Sequence, residues 1–561
     1  MQPEFDNHNE HQREGIFRNG LRLRVARYVF DKPRFRSCTR LIRRHYGPPG
    51  GPVLTDNLYE LFESRFPAES SSTFIETEDG RVYSYVSMVY RSGRYARLLS
   101  DLGVTPGDRV LAQVEKSPEA VFLYLACLRA GAVFLPLNTA YQRDEVAYFL
   151  NDAEPAAVVI DPAREAELAP LTEQAGCKHL LTLDAAGSGT LEQRSAALDG
   201  EFGCLPRAAD DLAAMLYTSG TTGRSKGAML SHGNLAANAQ ALHQTWGFQH
   251  DDLLLHALPI YHAHGLFVAI NCVLLNGTGM LFLPKFDAES VLRLLPRATV
   301  MMGVPTFYTR LLTRPDFGAE VCRNIRVFIA GSAPLLAETF NEFQERSGHT
   351  ILERYGMSET GMNSSNPLEG ERKAGSVGRP LPGVELRVVG EDGSPLGTDE
   401  IGDLEVRGPN VFKGYWRNAE KTAESFRDDG FFVTGDLAKI DGEGYVHLVG
   451  RAKDLIISGG FNVYPKEIEQ VIDEIEGVGE SAVIGLPHPD FGEAVAAVVT
   501  PAAGSAAPSE AAIISATKGR LANFKVPKRV FQSEALPRNA MGKVQKNLLR
   551  ERYAAAFKDA D

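Results

Sequence analysis

The stretch "SPEAVFLYLACLRAGAVFLPLN" (Ser117 to Asn138) limits the fold more than any other part of the sequence. Ser117 is placed to cap a helix, Pro118 suits the first helical position, and the apolar run that follows is closed by Gly131. The segment after the glycine reads as a buried strand. A helix feeding a buried strand within a few residues is the unit of α/β layering. The texture recurs along the chain. "VLTDNLYELFESRFP" (Val53 to Pro67) has helical spacing, while "RVLAQV" (Arg109 to Val114) and "AAVVID" (Ala156 to Asp161) are short β-rich runs.

At 561 residues the chain is longer than one core needs, so at least two domains are expected. Residues 1–52 form a basic N-terminal extension, arginine-rich from Arg18 and ending in a proline and glycine cluster. Acids in Met1 to Glu14 spoil a presequence pattern, so a dispensable extension is the first reading and organelle targeting the second. Residues 53–449 form the large α/β domain, and the glycine-punctuated strands from Gly375 to His447 mark a small β-rich subdomain within it. "GRAKD" (450–454) separates this from a compact mixed unit, residues 455–561. There "PKEIEQVIDEIEGV" (Pro465 to Val478) reads as the clearest helix and "PAAGSAAPSEAA" (Pro501 to Ala512) as a surface loop.

Composition excludes several classes. With 44% hydrophobic and 23% charged residues and no apolar stretch of bilayer length, no integral membrane contact is expected. A net charge of -12 argues against nucleic acid as the main partner. The six cysteines are scattered without a CxxC pair, so neither disulfides nor structural zinc are expected, and a cytoplasmic location fits.

The chemistry concentrates first in "MLYTSGTTGRSKGAML" (Met215 to Leu230). A strand runs into a glycine-rich turn whose N–H groups can converge, while Thr218, Ser219, Thr221 and Thr222 add hydroxyls. Such a concavity suits phosphate oxygens. The spacing is not that of the GxxxxGK[ST] loop, and Lys226 comes too late for that role.

"YTSGTTGRSKGAMLSHGNL" (Tyr217 to Leu235) resembles the signature of the adenylate-forming superfamily. The other motifs of that superfamily follow in order: "ERYGMSET" (Glu353 to Thr360), "TGD" (Thr434 to Asp436), "GRAKDLIISGGFNVYPKEIE" (Gly450 to Glu469) and "LPRNAMGKVQK" (Leu536 to Lys546). The resemblance implies a large N-terminal adenylate-forming domain hinged to a small α+β C-terminal domain. It also implies ATP, Mg2+ and coenzyme A as cofactor and substrates, and a carboxylate activated as its adenylate before a thiol displaces AMP.

Roles follow residue by residue from the same resemblance. Thr218, Ser219, Gly220, Thr221, Thr222, Gly223 and Lys226 would cradle the departing phosphates, with Glu359 and Thr218 at the metal. Gly331, Ser332, Ala333 and Pro334, with Tyr355, Gly356, Met357 and Ser358, would form the adenine slot and its surroundings. Asp436 offers two acceptor oxygens to the ribose hydroxyls, and Arg451 adds a second contact. Lys543 would bridge the carboxylate and the α-phosphate. Lys453 aligns with the hinge residue, and Ser458, Gly459, Gly460 and Phe461 with the wall presented to the pantetheine arm of CoA.

The acid is read from one residue. His262, in "ALPIYHAHGLFVAI", is expected near the bound carboxylate, and Arg354 replaces the neutral residue common in relatives. A buried guanidinium is costly unless the substrate brings a second negative charge, which a fork of donors can hold bidentately. With "GVPTFYTRLL" (303–312), "PIYHAHGL" (259–266) and "GMNSSNP" (Gly361 to Pro367), the chain resembles the branch of the superfamily that joins a small dicarboxylate, malonate before methylmalonate, to CoA. The competing expectations are a ligase for acetate, a medium-chain or an aromatic acid, with Arg354 tied up by Glu353, Glu359 or another acid, an adenylation module that hands its acyl group to a carrier protein, and a non-catalytic nucleotide binder. A monomer or weak homodimer is expected, in the mitochondrial matrix if residues 1–52 are a presequence.

Overall fold

A computed structural model describes residues 56–218, 225–458, 461–488, 491–539 and 542–557. The N-terminal extension, the phosphate-loop residues Ser219 to Gly223, and Gly459 and Gly460 therefore lie outside the described residues.

Two sheets with mainly parallel centres organise the large domain. One has six strands in the order His179–Thr182, Ala157–Ile160, Arg109–Gln113, Val133–Pro136, Leu212–Thr218 and Lys226–Ser231, parallel except for the last. The other has nine, with Leu352–Met357, Val327–Ala330, Val300–Gly303, Leu253–His256, Gly279–Phe282 and Thr73–Thr77 parallel at its centre and antiparallel strands at its edges. Helix Pro118–Ala130 forms as its sequence dictates: the Ser117 hydroxyl accepts from Ala120 N, Pro118 opens the first turn, and Gly131 ends it at φ +67°. Every residue of this helix is buried, and it shares one apolar core with Val110 of the first sheet and Phe74 and Val300 of the second. Apart from Glu119, paired with Arg91, and Arg129, which donates to Ser92, the helix is apolar on every face, so it belongs inside the molecule. Each large side chain there contributes about 1.5–3 kcal/mol by leaving water.

The β-rich subdomain is a four-stranded antiparallel sheet, Glu385–Val389, Gly402–Arg407, Phe432–Ile440 and Val446–Arg451. The C-terminal unit builds a further sheet on the long hairpin Val478–His488 and Gly492–Pro501. This arrangement is the expected α/β class, with a small α+β unit following the large domain.

Two local expectations are corrected. The helix over 465–478 ends at Asp473, because Gly477 turns at φ +88° and Val478 enters the hairpin ladder, where cross-strand pairing outweighs helix propensity. The loop over 501–512 is shorter, because Ser509 caps a helix, Glu510–Lys518.

Candidate functional site

The parallel strands of the nine-stranded sheet end together, with Met302 in register with both His256 and Ile329, Gly303 with Ala330, and Ala330 with Glu353. Crevices outside the carboxyl ends of such strands are where α/β folds take ligands. Beyond Ala330 the chain turns through Gly331 and Ser332, the latter at φ +73°, a left-handed conformation that costs a non-glycine residue about 1 kcal/mol. A Cβ on Gly331 would stand 2.6 Å from Cζ of Arg354, so only glycine lets this loop pass over the guanidinium. Ala333 and Pro334 continue the loop, and Leu335 N donates to Glu353 Oε1 at 3.2 Å.

Arg354 is 2% exposed, and its Nε and Nη2 have no hydrogen-bond partner. Among the described residues no carboxylate pairs with it: Glu353 turns to Leu335, and Glu359 accepts from the Thr218 hydroxyl at 3.1 Å. Burial lowers the guanidinium to about 9, which still leaves it a cation at neutral pH. Burial also raises Glu353 to about 8, so that carboxyl is largely protonated at neutral pH. Both residues therefore lack the ion pair that the competing sequence reading required.

His262 stands half-buried on the same side. Burial, then Lys543, then Arg354 depress it to about 3, so it is a neutral imidazole at working pH. It precedes a π-helix, His264–Ile270, whose backbone is fixed by His256: Nε2 donates to Gly265 O at 2.8 Å. Lys116 Nζ donates to His256 Nδ1 (2.8 Å) and to its carbonyl (3.0 Å), which sets the tautomer. Lys116 reaches across from the end of a strand in the six-stranded sheet and meets no acid among the described residues; burial lowers its proton affinity well below the ordinary lysine range.

At the opposite end the polar groups are paired. Asp436 accepts from the Tyr355 hydroxyl at 2.5 Å and pairs with Arg451 Nε at 2.8 Å, while Asp436 N donates to Thr434 Oγ1. Burial first, and then the neighbouring Asp436, hold the Tyr355 phenol far above its ordinary range. Gly356 is required where it stands, since a Cβ would lie 2.1 Å from Gly361 O across the tight pairing of Leu352–Met357 with Gly361–Ser365. Met357 ends the first of these strands and Ser358 begins the turn that carries Glu359.

Thr218 and Glu359 meet where the strand Leu212–Thr218 ends. The hydroxyl of Tyr415 donates to the same Glu359 oxygen at 3.2 Å, and Lys226 Nζ lies 5.4 Å from the Tyr415 ring centroid. Burial and then Lys421 lower the proton affinity of Lys226. No sequence motif marks Tyr415; an isolated bridge between Ala228 and Tyr415 brings it in, and so does Trp416 N donating to Gly227 O. Lys116 and His256 went equally unmarked, since their partnership joins strands of different sheets.

The C-terminal unit supplies Lys543. Its hairpin closes through Asn539 N donating to Lys543 O and Lys543 N donating to Asn539 Oδ1, with Gly542 at φ +74° beside Thr306 of the large domain. Lys543 is exposed by surface area yet ringed by protein, as a side chain standing in a cleft would be. Desolvation and then Arg451 lower its proton affinity, and Asp436, Glu359 and Arg354 all act on it, so the lysine faces both ends of the site. Lys453 is exposed in a single turn, Ala452–Asp454, between the strand ending at Arg451 and the hairpin Ile456–Ser458 and Phe461–Val463. Ser458 is buried on that hairpin, and Phe461 is exposed, stacked on Phe524 at 4.6 Å.

The structure thus brings Thr218, Lys226, Glu359, Tyr355, Asp436, Arg451, Lys543, His262 and Arg354 around one crevice, and leaves Lys453, Ser458 and Phe461 outside it. A family model described as AMP-binding enzyme matches residues 63–416, and one described as AMP-binding enzyme C-terminal domain matches residues 467–543. The chain belongs to the AMP-binding enzyme family.

Its relatives narrow the comparison. A malonate–CoA ligase of Arabidopsis thaliana is 32% identical over 88% of this chain and 89% of its own length. The feruloyl-CoA synthase of an Amycolatopsis species is 37% identical over 84% of this chain and 94% of its own. Among solved structures, ATP-bound MatB from Rhodopseudomonas palustris is 55% identical, covering 90% of this chain and all of its own, with a TM-score of 0.88. The apo form of the same protein, at equal identity and coverage, scores 0.78. This chain therefore superposes more closely on the ATP-bound form than on the apo form.

Proposed function

We propose that this protein joins malonate to coenzyme A through a malonyl-adenylate, releasing pyrophosphate and then AMP. The observation that carries the acid is Arg354, a buried cation with two unpaired donors and, among the described residues, no acid to meet them. A second carboxylate on the substrate supplies the missing charge and the acceptors together. The names of the malonate–CoA ligase relatives agree with that reading, whereas a feruloyl group would leave the guanidinium unpaired.

In the first half-reaction a carboxylate oxygen of the acid attacks the α-phosphorus of ATP and pyrophosphate leaves. Lys543 aligns the attacking oxygen with the α-phosphate, and neutral His262 lies beside the same carboxylate. Asp436 and Arg451 hold the ribose, Tyr355 and the loop Gly331 to Pro334 enclose adenine, and Thr218 to Lys226 receive the pyrophosphate end. Glu359 and Thr218 present two oxygens on one spot, which would hold a magnesium ion brought in with ATP. Magnesium bound there would neutralise charge on the phosphates.

In the second half-reaction the CoA thiol attacks the adenylate carbonyl and AMP departs. That step uses Ser458 to Phe461, of which Ser458 and Phe461 lie outside the crevice here, so residues 455–561 turn about 450–454, with Lys453 at the pivot, and Lys543 withdraws. With Lys543 facing both ends of the site, the arrangement here suits adenylation. Among the described residues no helix is long and apolar enough to cross a membrane. All substrates are polar small molecules, and a cytoplasmic or matrix location serves them equally.

The test is a panel of acids (malonate, methylmalonate, succinate, acetate, octanoate) assayed for pyrophosphate release and acyl-CoA formation. Malonate is expected to dominate. Equal turnover of acetate and malonate would overturn the dicarboxylate reading, and acid-independent pyrophosphate release alone would overturn the ligase.

A further inference from the structure

Beside Arg354 lies a second buried donor that the sequence did not single out. His264 is 1% exposed, opens the π-helix His264–Ile270, and has no partner at Nε2. Its Nδ1 lies 3.3 Å from the Ser332 hydroxyl, on the loop whose Gly331 passes over the guanidinium. With that hydroxyl donating to Nδ1, the ring hydrogen sits on Nε2, and the imidazole presents a donor rather than an acceptor.

Neither neighbouring backbone is free to turn this ring away. Gly265 O is held by His256, and a Cβ on Gly265 would lie 2.0 Å from Pro259 O, so the start of the π-helix is packed against the preceding turn. Ser332 keeps a left-handed conformation that its neighbours must enforce. Buried polar atoms in native proteins nearly always have partners. Here Nε and Nη2 of Arg354 and Nε2 of His264 all lack one, and Arg354 is the charge that acts most strongly on His264. Three donors without an acceptor call for an anion with more than one oxygen.

We propose that His264 is a further specificity-determining residue, donating from Nε2 to the remote carboxylate of the dicarboxylate that Arg354 binds. The claim rests on the malonate reading and adds a residue to it. An arginine alone grips a carboxylate in one plane. A donor from a different element fixes where along the acyl pocket that plane lies, and so the length of the acid accepted. Protonated His264 is not needed. Burial and Arg354 hold the imidazole neutral, so the selectivity does not depend on its charge.

The experiment compares malonate with monomethyl malonate, nearly isosteric but uncharged at the far end, in four enzymes: wild type, Arg354→Ala, His264→Asn and His264→Gln. An asparagine amide can reproduce the Nδ1 side of the ring and keep Ser332 but cannot reach the position of Nε2, whereas the glutamine amide nitrogen can. The preference for malonate over monomethyl malonate, measured as a ratio of kcat/KM, should fall about 10- to 100-fold in His264→Asn. His264→Gln should recover most of it, and the KM for ATP should move in neither. Equal loss on both acids in His264→Asn, or equal behaviour of the Asn and Gln variants, would overturn the inference. If Arg354→Ala alone abolishes the preference while both His264 variants keep it, His264 is excluded and the malonate reading stands. If the wild type shows no preference, the malonate reading itself falls and this inference with it.

Discussion

The two ends of the crevice are built on opposite principles. Around Asp436 the structure satisfies its polar groups before any ligand arrives: Tyr355 donates to one carboxylate oxygen, Arg451 to the other, and Thr434 accepts from the backbone. Around Arg354 it does the reverse, leaving a guanidinium and two imidazoles desolvated, the guanidinium with donors unpaired. An unmet buried donor costs about 1–3 kcal/mol, and a buried charge costs more. In the function proposed above, the paired end holds the ribose of ATP, the part that does not vary with the acid. The unpaired end costs stability in the free protein, and in the proposed function it would recover that cost only when a matching acid binds, which is how a site discriminates as well as binds.

The sharpest way to break this contrast is Arg354→Ala. Malonate would then enter with a carboxylate unpaired, and its kcat/KM should fall about 10²- to 10³-fold while acetate turnover holds or rises, measured by pyrophosphate release. A parallel fall for both acids would make Arg354 a structural residue.

Acid should weaken the unpaired end next. His262 is depressed to about 3, and His256 and His264 lie well below their ordinary value, chiefly through burial. A depressed histidine binds fewer protons when folded than when unfolded, so its contribution to stability is full above pH ~6.5 and is lost as pH falls towards the folded value. Denaturant titrations should show about 1 kcal/mol less stability per pH unit for each such histidine below pH 6. A flat profile between pH 7 and 5.5 would show that these rings are better hydrated than the fold implies.

The paired end should respond more mildly and on a different substrate. In Asp436→Asn the KM for ATP should rise about 10- to 100-fold as the charge-assisted bonds weaken, with the preference among acids unchanged. Smallest of all, Tyr355→Phe removes one hydrogen bond and should raise the ATP KM only a few-fold, on the order of 1 kcal/mol. An altered acid preference in either variant would mean that the two ends are not separable.

Much of the site was legible because its motifs are local. The strand into Thr218, the turn before Glu359 and the Gly542–Lys543 hairpin need glycine or hydroxyl residues at fixed neighbouring positions, and that requirement is written consecutively in the chain. The identity of Arg354 was legible too, but not its lack of a partner: Glu353 and Glu359 stand close in sequence, and strand alternation and the turn direct them elsewhere. The helix expected over 465–478 was misjudged for a similar reason, since the pairing of Val478 with Pro501 is invisible in a window of local residues.

By itself, then, the sequence determined the layering, through caps, glycine stops and apolar runs, and the adenylating class, through motifs whose spacing is set by short turns. Only the tertiary structure decided which donors are left unmet. Whether Arg354, His264 and Lys116 find partners depends on elements from two sheets and a π-helix meeting at the strand ends, distant in sequence and fixed only by packing. Desolvation, which gives those groups their energetic meaning, is a property of the assembled interior and of no segment alone.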